Sequence, residues 1–219
     1  HVMTLFSTSV LKLNRKKAFF LILLILVIDQ VSKFYIKLNY PLSIYGGPAI
    51  VDWGFFKILF IENKGMAWGT KISDLIPFIS EEVGKLILTL FRLVAIVFLG
   101  NWLWRVLSDK SLQLLRWALC LILAGAIGNL IDSIFYGVWF SHSYGQIAEF
   151  MPDQGYASIF YGHVVDMLQF PLATWVWPEW MPFVGGETYT FFEYVFNVAD
   201  FAISCGVGVL LFFNKQIFK

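Results

Sequence analysis

The chain has 219 residues, a 58% hydrophobic share, 19% aromatics and a formal net charge of +1, with a mean hydropathy of +0.71. Its length fits one domain, but the composition is more apolar than a soluble fold carries, so the expected class is an all-helical polytopic membrane protein. The near-neutral balance gives no footing for a nucleic-acid partner.

His1-Val2 reads as a cloning remnant ahead of a native start at Met3. Lys12, Arg15, Lys16 and Lys17 precede a first apolar run over residues 18–38, long enough to cross the hydrocarbon core. Basic residues favour the cytoplasmic side, which places the N-terminus there. Inside this run Asp29 and Lys33 lie four apart on one helical face, in the better orientation for pairing.

Residues 39–85 form the first outer segment. Pro41, Gly46, Gly47 and Pro48 mark turns, and Trp53 to Ile61 is rich in strand formers, which predicts a small sheet lying on the membrane. Residues 74–84 suit a short amphipathic surface helix. The second crossing is expected over 86–104, and Arg105, Lys110 and Arg116 return the chain to the cytoplasmic side. The third, over 117–136, contains Gly125, Gly128, Asn129 and Asp132, where small residues permit close helix approach and polar ones bond between helices.

Residues 137–190 carry no Lys or Arg, the mark of an outer segment. Trp175, Trp177 and Trp180 among prolines suggest an interfacial aromatic platform, with packing of the same rings on the sheet as the alternative. A fourth crossing over 191–213 followed by Lys215 and Lys219 puts both termini inside. Cys120 and Cys205 sit in apolar runs and are expected as free, packed thiols.

Carboxylates at membrane depth need a reason, because a charge there is expensive and usually functional. Asn129-x-x-Asp132 and Asn197-x-x-Asp200 repeat one pattern, each pair on one helix face near an outer helix end. Asp166, in Gly162-His163-Val164-Val165-Asp166, follows a strand-like entry and can be lowered onto the same region. Two carboxylates that share a proton can hydrolyse an amide, one as base and one as acid. Each polar residue also has a structural reading: Asp29 with Lys33 as an ion pair, Asn129 and Asn197 as helix glue, Asp132 as a support. His142 and His163, with no Cys partner and no HExxH helix, fall short of a zinc site, so neither metal nor cofactor is expected.

Five blocks in order resemble the lipoprotein signal peptidase family, the bacterial signal peptidase II: Asp29-Gln30-Val31-Ser32-Lys33, Asn63-Lys64-Gly65-Met66-Ala67-Trp68, Gly125 to Asp132, Val164-Val165-Asp166 and Phe196 to Asp200. The resemblance implies four transmembrane helices in the bacterial inner membrane and a periplasmic β-cradle with extended outer loops. It implies an intramembrane aspartic endopeptidase, acting as a monomer near the periplasmic face. Its substrate would be a prolipoprotein, cut just before a diacylglyceryl-modified cysteine, with membrane lipid as a further partner and globomycin as inhibitor. It casts Asp166 and Asp200 as the catalytic pair. Asp29, Lys33, Asn63, Gly65, Asn129, Asp132 and Asn197 become substrate-binding or site-supporting residues.

Two departures stand out. The family motif usually continues Asn-x-x-Asp-Arg, whereas Ser133 follows Asp132, so Arg92 or Lys33 is expected to supply the missing cation. The intervals around Asp166 are long, and their insertions are expected to be loops. Without the resemblance, the rival reading is a proton-coupled transporter using buried acids as a relay, which the lack of an inverted repeat disfavours.

Overall fold

The computed structural model describes residues 12–44, 47–65, 72–76, 78–108 and 113–218, without the side chains of Ser73 and Asp74. The expected start at Met3, the Met66-Ala67-Trp68 end of the second motif and Lys110 lie outside the described residues. In chain order the elements are α1 (Arg15–Asn39), β1 (Val51–Asp52), β2 (Lys57–Asn63), α2 (Ile72–Leu75), α3 (Glu81–Ser108) and α4 (Gln113–Ile131). A π-helical turn (Asp132–Tyr136) follows, then α5 (Gly137–Trp139), β3 (Val164–Gln169), β4 (Ala173–Val176), β5 (Thr188–Phe191), β6 (Val195–Phe196), α6 (Val198–Phe212) and α7 (Asn214–Ile217).

Among the described residues, three helical stretches are long and apolar enough to cross a membrane: Arg15–Asn39, Glu81–Ser108 and Gln113–Trp139. Helix α6 is apolar but has 15 residues, about 22 Å of rise against about 30 Å of hydrocarbon. The pattern on α1 is inside out. Phe19, Phe20, Leu24, Val27, Ile28 and Val31 are exposed, whereas Asp29, Lys33 and Lys37 are fully buried. In water that arrangement would not survive; in lipid it buries the charges against protein. Asn14 starts the helix by accepting the Lys17 N–H through Oδ1 at 2.9 Å, and Pro41 follows its end.

The chain divides into two compact units, the first formed by His1–Val31, Ile87–Ile131 and Val198–Lys219. Its apolar core gathers Leu103, Val106, Leu115, Leu119, Cys120 and Leu123. Helices α4 and α6 pack closely because small residues face each other. A Cβ on Gly125 would stand 2.2 Å from the Ala199 carbonyl oxygen, and one on Gly206 would stand 2.7 Å from that of Ala118. Any side chain at either position would force the helices apart. Cys120 and Cys205 are both free thiols.

The second unit comprises Ser32–Leu86 and Asp132–Asn197. Its sheet has the order β1-β2-β3-β6, all neighbours antiparallel. β2 pairs with β3 through Ile61↔Asp166, Glu62↔Val165 and Asn63↔Val164, with an irregularity between Ile58 and Ile61. β4 and β5 make a separate hairpin. The π turn widens the helix and frees carbonyls. Those of Ser133, Ile134 and Gly137 accept the N–H groups of Gly162, Phe160 and Ala157 at 2.9, 3.1 and 3.0 Å. Only glycine fits at 162, where a Cβ would lie 2.0 Å from the Asp132 carbonyl oxygen.

Five expectations are corrected. The second long helix starts at Glu81 rather than 86, with Ser80 Oγ accepting the Val83 N–H at 3.3 Å. It takes in residues 81–84 of the expected surface helix over 74–84, and the start of that span falls in the one-turn α2. The helix expected over 191–213 begins at Val198: Phe191 ends β5, Phe192 has φ 63°, and Val195–Phe196 pairs with β3. Hydropathy cannot tell an apolar strand from an apolar helix. Asn197 therefore precedes a helix rather than sharing its face with Asp200. The insertion between Asp166 and Asp200 is not all loop, since it holds the β4–β5 hairpin.

Candidate active site

Asp166 stands in the middle of β3, 4% exposed. Its carboxylate accepts the side-chain amide of Asn197 at 2.8 Å and that of Asn63 at 3.4 Å. The Asn197 amide also donates to the Val165 carbonyl at 3.1 Å, which fixes it against the strand. Asn63 Oδ1 accepts the Gly65 N–H at 2.9 Å, an Asx turn that orients the same side chain and buries Gly65. The strand itself is held one residue earlier: Asp132 Oδ2 accepts the Val165 N–H at 3.1 Å and meets Lys33 Nζ at 2.9 Å. Lys33 thus supplies the cation that Ser133 leaves missing.

The other candidates gather in the first unit. Asp200 is the third residue of α6 and half-buried, where the helix N-terminus favours a negative charge. Asn129 Nδ2 donates to its Oδ1 at 2.7 Å. Asp29 Oδ1 accepts the Ala199 N–H at 2.9 Å, satisfying one of the donors that a helix start leaves open. Gly128 leaves room for this carboxylate, since a Cβ there would lie 2.6 Å from Asp29 Oδ2. Gln30 Nε2 ties it in place, donating to Asp29 Oδ2 at 3.1 Å and to the Gly128 carbonyl at 3.2 Å.

Sequence reasoning missed a second buried charge cluster beneath the strand pair. Lys37, fully buried, pairs with Glu62 Oε1 and donates to Ser143 Oγ at 3.1 Å. Its ammonium lies 4.9, 5.2 and 5.6 Å from the ring centres of Tyr156, Phe140 and Phe60. His163 Nδ1 meets Glu62 Oε2 at 3.2 Å, and the His163 N–H donates to the Tyr156 hydroxyl at 2.7 Å. Glu62 and His163 flank Asn63 and Asp166 in sequence, so the cluster fixes the register on which Asp166 rides. The signal available was the period-four continuation of the α1 polar stripe, Asp29, Lys33, Lys37.

Burial pushes the Glu62 carboxyl up, but His163 and Lys37 outweigh it and leave it below its ordinary value. Burial pushes the His163 imidazole down, against the hydrogen bond to Glu62. A neutral His163 donating from Nδ1 to an ionised Glu62 satisfies both. Between its depressed pKa and the unfolded value of about 6.5, the unfolded chain binds more protons, so stability rises with pH across that window. Glu62 adds stability above about pH 4.3 that is lost as pH falls through its lower folded value. The unfolding midpoint should therefore drop between pH 7 and pH 5, and His163→Gln should flatten that part of the profile. An unchanged slope in the variant would refute the assignment.

His142 is exposed beside Gln146, whose amide approaches its Nε2 at 3.4 Å. Among the described residues, no three His, Cys, Asp or Glu side chains are grouped to hold a metal ion. Asp166, Asn63, Glu62 and Gln169 line an open groove of about 810 Å³ together with Ser43, Ile44 and Tyr194.

The family model for signal peptidase (SPase) II matches residues 21–215. A lipoprotein signal peptidase of Porphyromonas gingivalis is 46% identical over 193 residues, covering 87% of this chain and 79% of that protein. One from Amoebophilus asiaticus is 34% identical over 190 residues, covering 86% and 73%. A bacterial membrane enzyme solved by the in meso method at 1.9 Å resolution shares the fold, with a TM-score of 0.55 at 20% identity over 92% of this chain and 94% of that one. A match spanning nearly all of the apolar helices and all four aspartate-bearing motifs leaves one conclusion: the chain belongs to the signal peptidase II family.

Proposed function

We propose that this chain is an aspartic endopeptidase that removes the signal peptide from diacylglyceryl-modified prolipoproteins, cutting just before the lipidated cysteine. Family membership disfavours the transporter alternative. The observation that carries the reading is the hold on Asp166: a buried carboxylate gripped by two asparagine amides, on a strand that lines an open groove of about 810 Å³.

In this reading Asp166 and Asp200 act as a pair over the scissile peptide and share one proton between them. The ionised member takes a proton from water as it attacks the carbonyl carbon. The protonated member donates to the developing oxyanion, and the leaving amine collects a proton as the C–N bond breaks. Asn63 and Asn197 orient Asp166, Asn129 orients Asp200, and Asp29, Lys33, Asp132 and Gly65 hold the backbone around them. The protein works as a monomer, a single membrane-embedded peptidase domain with four crossings. Both termini are cytoplasmic, and the active site lies near the periplasmic face under a sheet that cradles the substrate. Globomycin competes for the same groove.

The test is cleavage of one precursor with and without its diacylglyceryl group by the purified protein. Each buried methylene contributes about 0.8 kcal/mol, so a few of them already exceed the roughly 2.8 kcal/mol behind a hundredfold difference. The unlipidated precursor should fall at least that far in kcat/KM. Equal rates would overturn the substrate assignment.

A further inference from the structure

We propose that the β4–β5 hairpin is a membrane-surface anchor, laying an aromatic face into the headgroup layer of the bilayer. The proposal rests on the membrane embedding of the chain and not on the peptidase chemistry. The strand register decides which side chains share a face. Ala173 is opposite Phe191 and Trp175 opposite Tyr189, while Thr174 is opposite Thr190 and Val176 opposite Thr188. Alternation along each strand then collects Ala173, Trp175, Tyr189 and Phe191 on one side and three threonines with Val176 on the other. The first face is a continuous aromatic cluster, with Trp175 4.9 Å from Tyr189 and 5.4 Å from Trp177 between ring centres. The second is polar, its Thr174 and Thr190 hydroxyls 3.1 Å apart.

Trp175, Tyr189 and Phe191 all remain exposed, and at the hairpin tip Trp180 is 79% and Phe183 100% exposed. A two-stranded hairpin of this length is marginal in water, so an uncovered aromatic face signals a missing partner. Phe183 is also held at φ 73°, and Phe192 at the hairpin base at φ 63°, a left-handed conformation that bulky residues rarely adopt. Strain of this kind persists where the projecting side chain serves a function.

Three features select a lipid surface over other occupants. Indole and phenol rings with one polar edge match the chemistry of the headgroup zone. Residues 137–190 carry no Lys or Arg and the hairpin holds Glu179 and Glu187, so an anionic partner gains no attraction. A handful of rings falls far below the roughly 20–30 residues a side that a stable protein interface engages. The apolar helix α6 begins seven residues beyond Phe191. Seven residues span at most about 25 Å, which tethers the hairpin base to the bilayer neighbourhood.

The experiment is a nitroxide at Phe183→Cys, and separately at Trp180→Cys, in a protein whose Cys120 and Cys205 are replaced by Ala, reconstituted in phosphatidylcholine vesicles. Asp153→Cys, on an exposed outer loop, gives the aqueous reference. Collision with dissolved oxygen relative to a water-soluble nickel chelate should be severalfold higher at both hairpin sites than at residue 153. Aqueous values at both sites would overturn the proposal. So would dipolar broadening between labels, which means a second copy covers the face, or a shift appearing only after lipidated precursor is added, which assigns the face to substrate. None of these readouts depends on turnover, so failure here leaves the peptidase reading standing.

Discussion

Asp200→Asn should lower single-turnover cleavage by about 10³-fold or more while the protein remains folded in the membrane. The loss follows from role: an amide neither takes a proton from water nor returns one, and positioned acid–base catalysis is worth about 10²–10⁴-fold. Removing one of two groups that act as a unit forfeits most of their joint effect. The fold should survive because Asn129 donates its amide to Asp200 Oδ1, and an asparagine can present its carbonyl oxygen in the same place. Asp166→Asn should lose activity as deeply but stability as well. Its two oxygens each meet an asparagine N–H₂, so one end of the new amide faces a donor with a donor and leaves a buried group unsatisfied, at about 1–3 kcal/mol. Rates within tenfold of wild type in either variant would sink the two-aspartate mechanism.

Lys33→Met should be the most destabilising single change outside the aspartate pair. Lys33 and Asp132 are both fully buried and 2.9 Å apart. Removing one partner strands the other charge, a loss of about 3–5 kcal/mol. Adding Asp132→Asn should recover most of it, because the double variant removes the acid together with its cation and the new amide oxygen can still accept the Val165 N–H. The comparison is an unfolding midpoint in micelles. If the double variant is no better than the single one, Lys33 acts through packing and not as the counter-charge to Asp132.

The sequence was most readable where chemistry is local. Five polar blocks pointed to the family, and strand-forming residues before Asn63 and around Asp166 predicted the strands that carry them. The site became opaque where partners are distant in sequence. The four-residue spacing suggested Asp29 for Lys33, Asp132 entered as its partner only through the cation missing at Ser133, and no local rule could link Lys37 with Glu62 and His163. The π turn at Asp132–Tyr136 leaves no compositional trace; only Gly162 marks it, from a loop that reads as ordinary. Residues 191–196 fall in the apolar run expected to be helical, although Thr188-Tyr189-Thr190-Phe191 alternates with the period of a strand.

The charged stripe on α1 has a consequence for biosynthesis. Lys33 leaves the ribosome long before Asp132 exists, and Asp29 is the sole acid within the Arg15–Asn39 helix. During that interval the neighbouring aspartate is the counter-charge the emerging segment carries with it, and Lys33 reaches Asp132 only once the third long helix has been made. Asp29→Asn should therefore slow translocon insertion of the first segment, measured on nascent chains that end before residue 132; unchanged insertion would mean that the flanking apolar residues suffice.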